Sequence, residues 1–241
     1  MTTLETVQKL RPFVNYLPAR FMMDAVTYAR GGELGYDGFD FYAAGRGGVL
    51  GAVDSDVIAA AFIFFNPITV RDYWDRSSKV GPVETAASAF AACAHQWGRD
   101  HLADSADLER LAGLLEKVVQ SANPAGAPLF AAWRALGCPS DAKARVLHCA
   151  NALRELRGAR HGGAILAAGL APAIAVQLKS PYMVGLFGWS EPGPDIQDFS
   201  TAWQAADDAT DVAFAPEFLV LDDAEQAELV ELAANAFTSA T

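Results

Sequence analysis

Asp107-Leu108-Glu109-Arg110-Leu111-Ala112-Gly113-Leu114-Leu115-Glu116-Lys117-Val118-Val119 is the stretch that decides the fold. Leu108, Leu111, Leu115, Val118 and Val119 recur at three- and four-residue steps, the spacing that lines up one face of an α-helix, and Asp107 is suited to cap its start. The same period extends on both sides. Asp54 precedes Val57-Ile58-Ala59-Ala60-Ala61-Phe62, which stops at Asn66-Pro67, because proline disfavours helix in the residue before it. Further helices are predicted over 4–16, 18–30, 81–102, 141–157 and 223–237. Phe218-Leu219-Val220-Leu221 is the best strand candidate, with Tyr182–Phe187 a poorer one. Loops are expected at Gly31–Gly38, Gly45–Gly51, Asn123–Pro128, Cys138–Pro139 and Glu191–Pro194. The fold class is therefore mainly α and multi-helical.

Composition limits function. Hydrophobic residues make up 52% of the 241 and charged residues 20%, enough apolar material for a packed core and too little polarity for disorder. Eighteen Lys and Arg against 29 Asp and Glu give a formal charge of −11, which counts against a general binder of nucleic acid or anionic membrane. Residues 1–180 hold every basic residue and net +1; residues 181–241 hold twelve acids and no Lys, Arg or His. That shift divides an expected helical pocket domain (1–180) from an acidic C-terminal part (181–241) packed on it. Met1–Phe13 carries charges where an export signal would be apolar. The longest uncharged run, Gly162 to Leu178, is 17 residues long and contains Pro172, short of the roughly 20 that span a bilayer. Three cysteines without a CxxC point to reduced thiols, and the expectation is a cytoplasmic protein.

Candidate chemistry gathers in three places. On a 141–157 helix, Val146, Cys149, Ala150, Leu153 and Leu156 share one side and His148, Asn151 and Glu155 the other. Arg157 falls among the apolar group, just before Gly158. Either the helix ends there and Arg157 turns to water, or its permanent charge enters a pocket to meet an acid or a ligand anion. In Tyr42-Ala43-Ala44-Gly45-Arg46-Gly47-Gly48-Val49-Leu50-Gly51, four glycines flank one arginine. That is a tight connector or an arginine aimed into a pocket, while a phosphate loop lacks its strand and lysine. Aromatic residues crowd 13–74, as core or as the wall of a cavity. Asp24 lies in the apolar run Phe21–Val26, where an acid calls for a partner such as Arg46 or Arg157. No spacing of Cys93, His101, His148 and Cys149 suits zinc, and haem on His148 or His161 has no specific support. No metal or cofactor is assigned.

These segments resemble an actinobacterial family of MarR-like helix–turn–helix (winged-helix) proteins. Tyr42–Gly51 is similar to that family's YFAxRxAPLG, departing at Ala43, Gly48 and Val49. Gly126–Trp133 is similar to its GRPLFAAN stretch, and Leu153-Arg154-Glu155-Leu156-Arg157-Gly158-Ala159-Arg160-His161 to its LREHRGDGH. Phe21–Ala29 is similar to EPLHAVTYF, with Asp24 in place of His, and Ala159 stands where the family has Asp. The resemblance covers about residues 15–170. It implies a winged-helix-derived architecture with at most a short β wing near the C-terminus, a homodimer, and Asp222–Phe237 as the last helix. A readout helix without a cation has lost its main hold on phosphate.

Two functions follow. In one, a small anionic molecule binds Arg46, Arg157 and Arg154, balanced by Asp24 and Glu155, with Tyr28 and Tyr42 lining the cavity. His161, near neutrality in its ordinary pKa, is the acid–base candidate if there is catalysis. In the other, the chain is a ligand-responsive transcription regulator that touches DNA through Arg71, Arg76, Lys79, Lys143 and Arg145. Charge favours the first, with neither nucleic acid nor membrane as partner.

Overall fold

A computed structural model describes residues 1–105, 107–190 and 196–240. These form a mainly α fold of twelve helices joined by short 3-10 turns, with no strand among the described residues. In chain order they are α1 (Thr3–Met22), α2 (Ala25–Glu33), α3 (Phe39–Gly47), α4 (Ser55–Ala61), α5 (Pro67–Ser77) and α6 (Val83–His101). Then come α7 (Asp107–Ser121), α8 (Pro128–Arg134), α9 (Ala142–Ala167), α10 (Pro172–Lys179), α11 (Ser200–Phe214) and α12 (Asp223–Ser239).

Helix α9, about 39 Å long at 1.5 Å per residue, is the axis of the molecule. Helices α1, α6, α7, α8 and α11 all pack on it. Val146, Leu147, Ala150, Ala152, Leu153 and Leu156 are fully buried, and so are His148, Asn151 and Glu155, which the sequence puts on an outer face. A helix surrounded on all sides has no solvent face to carry a polar stripe. Nor does Gly158 end it. A mid-helix glycine costs about 1 kcal/mol against alanine, and burial of Gly162 and Ile165 further along holds the helix to Ala167. There Gly169 adopts φ +71°, and α10 leaves at 113° to α9.

Other boundaries move for local reasons. Helix α1 runs through Pro12 and Pro18 because Val7, Leu10, Phe13, Val14, Leu17 and Phe21 all lie in the core. The predicted 18–30 helix breaks instead at Met23–Asp24. Helix α7 begins at Asp107, whose N–H donates to Ser105 Oγ at 3.1 Å. The strand candidates are corrected: Phe218 closes a 3-10 turn followed by hydrogen-bonded turns, and Tyr182–Phe187 is 3-10 and turn. Phe218 and Leu221 are buried while Leu219 is 68% exposed, so the side chains follow a three-residue turn rather than a strand's alternation. The predicted β wing is likewise absent from the described residues, and the Glu191–Pro194 loop lies outside them. No single described helix is long and apolar enough to cross a membrane.

The glycine run is the end of α3 pressed onto α6. A Cβ on Gly45 would stand 2.6 Å from the Phe90 Cβ, and one on Gly48 2.3 Å from the Val83 carbonyl oxygen. With these glycines against α6, Arg46 turns away from it, and Tyr42, one turn earlier, packs edge-on to Phe90 at 6.0 Å while its hydroxyl reaches Arg46.

Candidate functional site

Tyr42 and Arg46 face a cavity of about 760 Å³ between α1, α3, the α4–α5 segment, α9 and the ends of α10 and α11. Helix α9 supplies Arg154, Glu155, Arg157 and His161, which three- and four-residue spacing brings to one side. Helix α1 adds Arg11 and Asn15; α10 ends at Lys179, and α11 adds Trp203 and Asp207. Phe62, Phe64, Phe65 and Phe187 form an aromatic wall, with Phe65 and Phe187 centred 4.2 Å apart.

Two sets of charges are already matched. Arg46 holds Glu155 through both ends of the fork, Nε to Oε1 at 2.7 Å and Nη2 to Oε2 at 2.8 Å. Its Nη1 also donates to the Tyr42 hydroxyl at 3.3 Å, and its carbon lies 4.5 Å from the Phe62 ring centre. Burial opposes both charges, but each outweighs that for the other: the Arg46 guanidinium sits above its ordinary pKa and the Glu155 carboxyl below. In the second set, Arg157 Nη2 donates to Asp211 Oδ1 at 3.1 Å and Asp207 Oδ1 at 3.4 Å. Arg11 reaches Asp207 Oδ2 at 2.9 Å and Asp211 Oδ2 at 2.7 Å. The buried Arg157 thus points inward and meets acids from the cation-free C-terminal segment.

Two cations are left over. Arg154 donates to the Asn15 carbonyl at 3.4 Å and comes no nearer to Glu155 than 4.0 Å. Lys179 lies 5.3 Å from the Trp203 ring centre and has no ion pair among the described residues. The remaining wall acid, Asp56, is engaged by Arg71 outside the cavity. The wall therefore carries more positive than negative charge in a chain of net −11.

His161 is in a different state from the one its sequence suggests. Thr210 donates its hydroxyl hydrogen to the Ala206 carbonyl at 2.7 Å. Its oxygen, 2.9 Å from His161 Nδ1, can then only accept. In that arrangement Nδ1 carries the proton; with the hydroxyl turned to Nδ1 instead, the proton is on Nε2. Nε2 has no hydrogen-bond partner among the described residues. Burial, with help from the Arg157 charge, pulls the imidazole pKa down to about 4. At neutral pH the His161 imidazole is uncharged.

Six of the eight sequence-predicted site residues line this cavity: Arg46, Arg157, Arg154, Glu155, Tyr42 and His161. Two do not. Asp24 caps α2, accepting from Val26 N at 2.8 Å, and stands 4.0 Å from His101. Tyr28 packs on Phe39 with its hydroxyl buried and unpartnered, and burial pushes its pKa up. His148 is also elsewhere, 3.2 Å from His95 Nε2. Sequence reasoning missed Arg11, Asn15, Lys179, Trp203 and Asp207; only the Asp207–Asp211 four-residue spacing, one acidic face of a helix, signalled any of them. Among the described residues no group of three or more His, Cys, Asp or Glu could hold a metal ion.

No curated protein and no solved structure matches the chain. A family model described as a helix-turn-helix family matches residues 8–193, a span that takes in α1 to α10 and most of the cavity wall. The chain belongs to that helix-turn-helix family.

Proposed function

We propose that the protein binds a small molecule bearing an anionic group in the α9 cavity, on a helix-turn-helix scaffold of MarR-like kind that has given up DNA readout. One observation carries this: positive charge in excess on the wall of a cleft with an aromatic side, in a protein that is otherwise strongly acidic. Desolvated aromatic surface supplies affinity for the ligand body, and a few placed polar groups fix its orientation. Arg154 and Lys179 are the groups free to meet the anion, while Arg46 and Arg157 hold the walls through Glu155, Asp207 and Asp211.

Family membership favours a second function, a ligand-responsive MarR-like regulator that works as a dimer. Four of its five cations are engaged, however, while Lys79 is exposed with no ion pair among the described residues. Arg71 pairs with Asp56, Arg76 with Asp40 at 2.7 Å, Lys143 with Asp104 at 2.7 Å and Arg145 with Glu109. Phosphate would have to displace a carboxylate at each, and counterion release rewards only cations that gain a new anion. Helix α12, free of cations, packs on α1 and α7.

Native mass spectrometry of the purified protein should show a bound organic acid that Arg154→Gln/Lys179→Gln fails to retain. Nonspecific duplex at low salt should not be bound. Micromolar DNA binding that fades with added salt, or equal ligand retention by the double variant, would overturn the proposal.

A further inference from the structure

From the meeting of two sulfurs near the start of α9 we infer an oxidation site: a hydroperoxide oxidises Cys138, and Cys149 then closes an intrachain disulfide with it. Neither cysteine lines the cavity, so this site stands independently of the anion-binding function.

The fold brings two thiols together and keeps the third apart. Cys138 stands in the 135–141 connection between α8 and α9, and Cys149 lies on α9 about two turns from its first residue. Their Sγ atoms are 3.9 Å apart, so a bond of about 2 Å requires them to close by roughly 2 Å. Cys149 is 1% exposed in the packed centre of α9, whereas Cys138 is half-buried. The connection can supply the movement. Gly137 precedes Cys138 at φ +84°, and residues 137–140 make no backbone–backbone hydrogen bond among the described residues. Cys93 is on α6, beside Thr27.

Charge divides the roles. The S–H of Cys149 stabilises a thiolate on Cys138, and the Arg145 guanidinium adds to this; together they hold Cys138 below the usual thiol pKa against burial and the Glu116 carboxylate. The same sulfur contact and burial push Cys149 up. Arg145 sits one turn before Cys149, its Nε buried without a hydrogen-bond partner among the described residues and 3.8 Å from Glu116. Cys138 is therefore the attacking sulfur, since the thiolate is the nucleophile, and Cys149 the resolving one.

The Cys138 thiolate attacks one oxygen of the hydroperoxide, the O–O bond breaks, and an alcohol (water, from hydrogen peroxide) leaves once protonated. Cys138 is now a sulfenic acid. The Cys149 sulfur attacks the Cys138 sulfur, the S–S bond forms, and the hydroxyl leaves as water with the Cys149 proton. Two thiols and one hydroperoxide thus give a disulfide, an alcohol and water, and a dithiol reductant reverses the change. The bridge would tie the connection to α9 beside a contact that already joins α8 to α9, Trp133 Nε1 donating to the His148 carbonyl at 3.1 Å.

The experiment treats the reduced wild-type protein with hydrogen peroxide at neutral pH, followed by peptide mass mapping without reductant. The expected product is a linked Cys138–Cys149 peptide about 2 Da lighter than its two thiol peptides, with Cys93 still open to iodoacetamide. Dithiothreitol should restore both thiols. The folded protein should form the bridge at least about threefold faster than the chain in urea, where Cys149 and Arg145 no longer face Cys138. In Cys149→Ala, Cys138 should stop at a sulfenic acid that dimedone labels, and Cys138→Ala should leave Cys149 reduced. Oxidation of Cys93 or Cys149 ahead of Cys138, disulfides mainly between chains, or equal rates folded and unfolded would overturn the inference. Mapping and the rate comparison use the wild-type chain alone, so the outcome does not hang on either variant folding.

Discussion

Removing the charge of Asp211 should destabilise the protein more than removing either arginine it holds. Asp211 is fully buried and accepts from Arg11 Nε at 2.7 Å and from Arg157 Nη2 at 3.1 Å. The Arg157 side chain is 8% exposed and the Arg11 side chain 29%. Asp211→Asn leaves two guanidinium groups facing one remaining carboxylate, Asp207, in a site that water does not reach freely. Breaking a buried ion pair by deleting one partner costs about 3–5 kcal/mol, because the other charge stays desolvated and unpaired. Unfolding a chain of this length carries an entropy of about 0.5 kcal/mol/K, so the melting temperature should fall by about 6–10 °C. Arg157→Met should cost less, since Asp207 and Asp211 keep Arg11, and Arg11→Met least, since part of its charge is hydrated. Asp211→Leu combined with Arg157→Met should recover at least about 1 kcal/mol of the Asp211→Leu loss, because the pair then leaves together. Guanidinium chloride unfolding and calorimetry read all of these. An Asp211→Asn cost below about 1 kcal/mol, or an Arg11→Met cost equal to it, would refute the shared-acceptor account.

Stability should also fall with acid in a definite window. His95, His148 and His161 each have a folded pKa of about 4, lowered from 6.5 first by burial. Between those values the unfolded chain takes up protons that the folded chain refuses, so stability drops as pH falls from about 6.5 to 4 and is unaffected by these groups above that. For the deeper pair, His148 and His161, the loss reaches on the order of 2 kcal/mol each at pH 5. Imidazole C–H shifts of His95, His148 or His161 that titrate near pH 6.5 in the folded protein would contradict this. In the α3–α6 contact, Gly48→Ala should cost about 1–3 kcal/mol, since its Cβ meets the Val83 carbonyl at 2.3 Å. Gly32→Ala, a helical site with open space around its Cβ, should gain up to about 1 kcal/mol. Equal denaturation midpoints for the two variants would show that the close approach does not exist.

How much of this was legible in the sequence depended on whether an element has two distinguishable faces. Helix α7 was, because Leu108, Leu111, Leu115, Val118 and Val119 are buried and its other side is wet. The first half of α9 was found and its end was not, since burial on every side erases the period that would have carried the helix past Gly158. Helix α11 was hidden by its own ion pairs: Asp207 and Asp211 occupy the inward positions where apolar residues would have marked a core face. Helices α5, α8 and α10 are short, and each opens on a proline at the first turn, a start signal that reads equally well as a loop. At the site, Arg46 was legible because glycines that fit only close contact put it on the far side of α3. Asp24 was misplaced because a helix cap two residues before Val26 and a pocket acid look alike in one dimension. Lys179 and Trp203 reach the cavity only through the 113° turn after α9 and the return of α11, paths that no local pattern records.

That return path explains the lopsided charge of the chain. Asp207 and Asp211 hold Arg11 and Arg157, Glu217 holds Arg160 at 2.8 Å, Glu228 holds Arg110 at 2.7 Å and Glu225 holds Lys117 at 2.7 Å. Five acids of the C-terminal segment are thus counterions for basic residues before it, and a lysine at any of those five positions would meet a cation. The same pairing settles which positive charges remain available. Cations matched by α11 and α12, or by Asp40, Asp56, Asp104 and Glu109 elsewhere, have little left to offer phosphate or ligand. Arg154 and Lys179 are different because they stand around a hollow where α1, α9, α10 and α11 converge, Lys179 without an ion pair among the described residues and Arg154 no nearer than 4.0 Å to a Glu155 already held by Arg46. An acidic surface repels an anion at long range, yet the potential inside a low-dielectric cleft is set by the nearest charges. On the proposed function, the excess on the cavity wall is what would draw an anion into a protein whose exterior discourages one, with contact to the aromatic side of the cleft completing the entry.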